Sequence, residues 1–285
     1  MNSKVIIIGA PRSGTNMLRN ILCEINGVST WPCDEINYIW RYGNAKESSD
    51  EFSIEMATPL TVKYIQNQFN WVSKNFSAST VVEKTCANSL RVPFVDKVVP
   101  GAKYIYIVRN GFDVIGSAKI RWTAHLDILY LLKKVRFVPL SDFLYYAWRY
   151  IKNRIQRILS KNNKLEFWGP SLNNMEEVTR NHNLNEVCAL QWKKCVESSD
   201  LAFSNMSSNA VCYVQYENFV VNPEKELAKI LKFIEIPTSI NMIKGLVKGV
   251  SKNSIGKGKK NLSNSEIESL KMIVADTMKK HGYEV

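Results

Sequence analysis

Histidine is scarce in this chain, with 3 in 285 residues, at His125, His182 and His281. The 6 cysteines (Cys23, Cys33, Cys86, Cys188, Cys195, Cys212) are scattered, and none forms a C-x-x-C pair. No zinc-ligand set can be assembled from such spacing, and reduced, mostly buried thiols are the expectation. Long apolar runs are missing too: nothing approaches the ~18 residues of a spanning helix. The N-terminal apolar run is one strand long and follows a single Lys, too short for the core of a signal peptide. The expected location is cytoplasmic, with peripheral membrane contact through a surface segment left open. Internal repeats and low-complexity linkers are absent, so one domain spanning 1–285 is expected. Acidic residues are outnumbered: 26 Asp and Glu against 38 Lys and Arg give a formal net charge of +12 and call for anionic partners.

What is present begins at the N-terminus. Val5-Ile6-Ile7-Ile8 reads as a buried strand, and Gly9 and Pro11 break it. The loop Gly9-Ala10-Pro11-Arg12-Ser13-Gly14-Thr15-Asn16 then runs into helix-compatible Met17-Leu18-Arg19-Asn20-Ile21-Leu22. A glycine loop at a helix start presents free N–H groups and the positive dipole end to an anion. Nucleoside-triphosphate loops end in Gly-Lys-Ser/Thr, with the Lys on the outer phosphates and the hydroxyl on Mg²⁺. No Lys follows Gly14, and Arg12 stands earlier, so the loop suits phosphate without the usual metal.

Further strands are expected at 80–83, 103–108 and 210–216, with helical patterns at 88–98 and 223–234 between and after them. Alternating strands and helices imply an α/β fold with a parallel sheet covered on both faces. In such a sheet the ligand lies at the carboxyl ends of the strands, which brings Lys84, Arg109, Tyr216 and Glu217 to the phosphate loop. The stretch 141–160 reads as a basic amphipathic helix, its apolar stripe including Leu144 and Trp148. It either packs on the core or docks on a membrane or acidic acceptor. The segment 251–260 is a Gly/Lys/Ser loop, followed by a capped helix start at 262–266.

These residues resemble the sulfotransferases that use 3′-phosphoadenosine 5′-phosphosulfate (PAPS). Pro11-Arg12-Ser13-Gly14-Thr15 is similar to their loop for the 5′-phosphosulfate. The run from Tyr106 to Ser117 resembles their 3′-phosphate motif, whose Arg and Ser match Arg109 and Ser117. Gln215-Tyr216-Glu217 followed by Asn222-Pro223 is similar to the segment whose Tyr lies near the adenine. The loop with Ser254, Lys257, Lys259 and Lys260 resembles the late basic loop that closes over the 3′-phosphate. The resemblance spans nearly the whole chain, with the motifs in order. It implies a P-loop-like parallel sheet, PAPS as co-substrate, no metal, and Pro11 to Asn16 around the donor. Nucleic acid is not among the expected partners.

Sulfuryl transfer builds negative charge on the leaving phosphate oxygen, which fixed cations stabilise. Arg12 and Lys84 are the expected cations. The base that cytosolic relatives supply as a His two residues after the Lys is Cys86 here. Relatives with a Pro-Arg-Ser-Gly-Thr loop, such as the tyrosylprotein sulfotransferases, use a Glu after the first helix. The matching segment is Pro32-Cys33-Asp34-Glu35-Ile36, so Glu35 is the expected base, with Asp34 and then His125 behind it. The stretch 122–209 is read as a helical insertion for the acceptor. Its Trp and Tyr residues suit a glycan, with tyrosine, lipid or small-molecule hydroxyls as other classes. A phosphate-loop kinase and a non-catalytic polyanion binder are the competing readings.

Overall fold

The computed structural model describes residues 2–122, 136–146, 148 and 168–285. Five strands form one sheet: β1 (Ser3–Ile8), β2 (Val28–Ser29), β3 (Thr80–Lys84), β4 (Lys103–Val108) and β5 (Val211–Gln215), in the order β2-β3-β1-β4-β5. Every pairing is parallel, and β1 lies between β3 and β4, with Val5 opposite Val82 on one side and Lys103 on the other. A central strand flanked on both edges and covered on both faces has no solvent side. The unbroken Val-Ile-Ile-Ile run of β1 is the consequence.

Strand periodicity divides that run between two cores. Val5 and Ile7 join α1 (Thr15–Cys23), α8 (Tyr216–Val221), α9 (Pro223–Phe233) and α10 (Ile240–Leu246) through Leu18, Ile21, Phe219, Leu227 and Ile243. Ile6 and Ile8 face the opposite layer, which holds α2 (Asn37–Trp40), α3 (Pro59–Asn75), α4 (Val92–Val98), α5 (Gly111–Trp122), α6 (Met175–Asn181), α7 (Leu184–Ser204) and α11 (Asn264–Lys280). The α/β class expected from the pattern is the architecture found.

Local details differ where tertiary contacts decide. The 88–98 pattern splits into a 3₁₀ turn, Cys86–Leu90, and α4, which has Pro93 in its first turn. The helix α3 is capped by Thr58, whose side chain accepts from the Thr61 N–H, and it buries Ile65, Phe69 and Val72 at helical spacing. Within 122–209, α7 is a core helix packed on α5 and α11: Asn183 opens it with a capping box, and Trp192 and Cys195 are buried. Of the stretch 141–160 only 141–146 and 148 are described. Leu144 and Trp148 are 80% and 59% exposed, so these two stripe positions do not pack into the core. His125 lies outside the described residues. All six cysteines are free, and among the described residues no helix is long and apolar enough to cross a membrane.

Candidate active site

The phosphate loop leaves β1 under tight steric limits. A Cβ on Gly9 would lie 2.6 Å from the Ile107 carbonyl oxygen, and one on Gly14 would lie 2.4 Å from the Tyr216 ring. Gly14 caps α1 in the left-handed conformation, φ 91°, without any side-chain cap on the first-turn N–H groups. Arg12 is also left-handed, φ 69°, an unusual conformation for a residue with a side chain, held by its neighbours. The Ser13 N–H closes the loop on the Ala10 carbonyl at 3.2 Å. Ser13 Oγ and Arg109 Nε are buried with no hydrogen-bond partner.

At the end of β3, Lys84 is almost wholly buried and pairs with Glu35 Oε1 at 2.8 Å and Asp34 Oδ1 at 3.6 Å. Asp34 is also taken by Arg19, which donates to Oδ1 at 3.0 Å and to the Asp34 carbonyl at 2.7 Å. The Cys86 N–H donates to Glu35 Oε1 at 3.4 Å, and Cys86 Sγ lies 3.8 Å from Thr15 Oγ1. Helix α1 and the β3 end are thus in direct contact. Burial alone would depress the Lys84 pKa, but the adjoining acidic groups, Glu35 and Asp34 among them, lift it above the usual lysine range. Burial pushes the Cys86 thiol well up, which keeps it neutral.

At the end of β4, Arg109 donates to the Arg12 carbonyl at 3.0 Å and the Ser254 carbonyl at 2.6 Å, and lies 4.4 Å over the Tyr216 ring. Arg12 Nε donates to Ser117 Oγ at 2.9 Å, and Tyr216 and Ser254 share a hydroxyl hydrogen bond at 2.5 Å. Burial, with Arg121 and Arg109 nearby, lowers the Arg12 pKa. The loop that follows α10 is latched to α5. Asp113 accepts the N–H groups of Gly256, Gly258 and Lys259 at 2.7, 2.9 and 3.0 Å. A Cβ on Gly116 would stand 2.0 Å from the Gly258 carbonyl oxygen, so only glycine permits this approach.

The fold therefore gathers Arg12, Ser13, Gly14, Thr15, Glu35, Lys84, Arg109, Ser117, Tyr216 and Ser254 around one crevice. Pro11 is partly buried in the loop, and Asn16 is exposed. The lysines of the late loop behave differently: Lys259 Nζ lies 5.3 Å over the Phe112 ring, while Lys257 and Lys260 are exposed. Asp113 and Glu217 carry more than the sequence reading gave them. Glu217 accepts the Asn110 N–H at 3.0 Å and the Tyr283 hydroxyl at 2.7 Å. Trp192 Nε1 donates to the Arg109 carbonyl at 3.2 Å, so α7 also positions the β4 end. Among the described residues no group of His, Cys, Asp and Glu could hold a metal.

The family model of the sulfotransferase domain matches residues 2–282. The chain belongs to the sulfotransferase domain family. Its fold is similar to the sulfotransferase domain from the curacin biosynthetic pathway (TM-score 0.56, 15% identity, covering 100% of this chain and 99% of that one). It is similar to a sulfotransferase from Mycobacterium avium (TM-score 0.56, 12% identity, 100% and 78% covered). A mouse sulfotransferase solved with PAP also matches (TM-score 0.50, 14% identity, 97% and 85% covered). No curated protein matches the chain. Membership in the sulfotransferase family favours sulfuryl transfer over the kinase reading.

Proposed function

We propose that this sulfotransferase moves the sulfuryl group of PAPS to a hydroxyl of a glycan, with Glu35 as base. The observation that carries the reading is the pair of buried Lys84 with half-buried Glu35, 2.8 Å apart, beside Cys86, whose Sγ meets Thr15 in the first turn of α1. A cation and a carboxylate there supply both needs of the reaction, charge stabilisation and proton removal.

The residues fit the donor. Ser13 Oγ and Arg109 Nε are buried donors without partners, and the uncapped start of α1 adds N–H groups for an anion. Tyr216 packs against Gly14, where it supports stacking on a base. The Asp113-latched loop and Ser117 complete the side for the second phosphate, in line with the PAP bound by the mouse relative. PAPS supplies a sulfuryl group already activated by its bond to a phosphate oxygen. Glu35 takes the acceptor hydroxyl proton as that oxygen bonds to sulfur. Lys84 and Arg12 stabilise the charge left on the phosphate as the sulfur–oxygen bond breaks.

Aromatic surface supports a sugar acceptor. Helix α2 begins two residues after Glu35 and carries Tyr38, whose ring meets Tyr146 at 4.7 Å. Beyond it a cavity of about 520 Å³ is lined by Tyr42, Tyr64, Trp71, Arg136 and Phe137. Aromatic faces suit sugar rings, and Arg136 suits an acidic substituent. Leu140 and Leu144, exposed on this side, support contact with an apolar or membrane-borne part of the acceptor.

Calorimetry with PAP, without Mg²⁺ and with ATP and AMP as controls, tests the donor. Tight PAP binding that falls at least tenfold in Arg109→Ala is expected, since that change removes a buried cation. A preference for Mg-ATP would overturn the reading. A screen of glycans with labelled PAPS then tests the acceptor class.

A further inference from the structure

Glu83 is fully buried at the end of β3, one residue before Lys84 and on the opposite face of the strand. An isolated carboxyl in a core costs several kcal/mol, and an apolar residue would avoid that cost. Its contacts show what the carboxyl does. Glu83 Oε1 accepts the Thr85 hydroxyl at 2.6 Å, and Oε2 accepts Asn88 Nδ2 at 3.0 Å. Asn88 is oriented by Arg91, whose Nε donates to Asn88 Oδ1 at 2.9 Å, leaving the Nδ2 group to face Glu83. Both carboxyl oxygens are therefore met by donors.

Thr85 has a single proton on its hydroxyl, and with Glu83 ionised it donates that proton's hydrogen bond to Oε1. The oxygen lone pairs are then left to accept the Ile36 N–H, which donates to Thr85 Oγ1 at 3.2 Å. The next residue, Cys86, offers its N–H to Glu35 Oε1 at 3.4 Å. Two consecutive residues after β3 thus grip two consecutive residues of the loop that carries Glu35.

We infer that Glu83 and Thr85 are positioning residues: their buried hydrogen-bond relay fixes the backbone at Ile36 and so holds the Glu35 carboxylate against Lys84. The inference rests on the reading of Glu35 as base. Both side chains are fully buried, at 0% exposure. They act through the geometry of Glu35, where a displacement of about 1 Å can cost about 10²-fold in rate.

The test uses the full chain and three variants. Thr85→Val keeps the shape and removes the hydroxyl; Thr85→Ser keeps the hydroxyl. Glu83→Gln keeps an oxygen for Asn88 Nδ2 but turns an amide donor to Thr85, whose hydroxyl proton then loses its acceptor. Three quantities are read: hydrogen exchange at the Ile36 amide, the Kd of PAP, and kcat and KM for release of radiolabelled sulfate from PAPS to water, a probe that needs no identified acceptor. Thr85→Val should speed Ile36 exchange about tenfold or more and lower kcat between about 10-fold and 10²-fold. KM and the PAP Kd should stay within about twofold, and Thr85→Ser should restore both exchange and kcat. Should Thr85→Val fail to fold, Glu83→Gln is expected to give the same split. Unchanged Ile36 protection, or a joint loss of kcat and PAP binding, would overturn the relay. Full turnover in Glu35→Gln would overturn the base assignment instead. The exchange data would then still decide whether the relay exists.

Discussion

Two of the three cations of the crevice, Lys84 and Arg109, are held in different ways. Lys84, at the end of β3, is matched to side-chain carboxylates, Glu35 and Asp34, of which Asp34 is also held by Arg19. Arg109, at the end of β4, is matched chiefly to main-chain carbonyls of Arg12 and Ser254, from segments far apart in the chain. Asp113 works the same way, holding three backbone N–H groups of the late loop. On the proposed reading, side-chain pairing holds the groups that react and main-chain pairing shapes the pocket that binds, so the β3 end would serve chemistry and the β4 end affinity.

Substitution at the two ends should separate these roles. The largest effect is expected at the β3 end. Glu35→Gln removes the proton acceptor and should lower kcat by about 10²-fold or more, with PAP affinity within about threefold of wild type. Steady-state kinetics and calorimetry on one preparation check the split. A parallel fall in affinity would erase the proposed division between the ends.

The β4 end should show the converse. Asp113→Asn replaces a carboxylate that accepts three N–H groups by an amide with one oxygen, so the 256–259 segment loosens. PAP affinity should fall about tenfold and unfolding stability by about 1–3 kcal/mol, with kcat at saturating donor less affected. Gly116→Ala attacks the same contact sterically, since the new methyl would overlap the Gly258 carbonyl. Urea unfolding and PAP titration of both variants measure this. Equal PAP affinity in both would mean that the late loop does not close on the donor.

The same contrast explains what was legible in the sequence. The phosphate loop, Arg109, Ser117 and Tyr216 could be read because strand, turn and helix start leave local patterns, and the resemblance joined them. The pairing of Glu35 with Lys84 spans 49 positions and rested on family likeness, since no local pattern links them. The latch by Asp113 on residues 256–259 was invisible, because backbone donors carry no side-chain signature. The core position of α7, inside the stretch read as a helical insertion for the acceptor, was hidden for another reason. Its buried face mixes Cys, Ser, Gln and Trp, so the apolar period is weak although the helix is in the core. Leu144 and Trp148 show the reverse, two apolar positions of a helical period that stay exposed.

The smallest expected effect is on stability against pH, where the two ends should diverge in sign. Behind β3, burial pushes the Glu83 carboxyl up from 4.5 to about 7, with the Thr85 hydrogen bond opposing. A raised folded-state pKa means stability present below 4.5 and lost as pH rises through about 7. Against β4, Asp200 accepts the Tyr106 hydroxyl at 2.8 Å and also meets His281 and Lys280. Burial would raise its pKa, but these partners outweigh burial and lower it from 3.8 to about 2. That contribution is present above 3.8 and lost as pH falls through about 2. Each limb is worth on the order of 2 kcal/mol. Urea midpoints measured from acid to alkaline pH should therefore trace a dome. Glu83→Gln should flatten the alkaline limb alone, and Asp200→Asn the acid limb alone. If either variant flattens both limbs, the carboxyls behind the two strands are coupled, and the two ends of the crevice are one electrostatic unit rather than two.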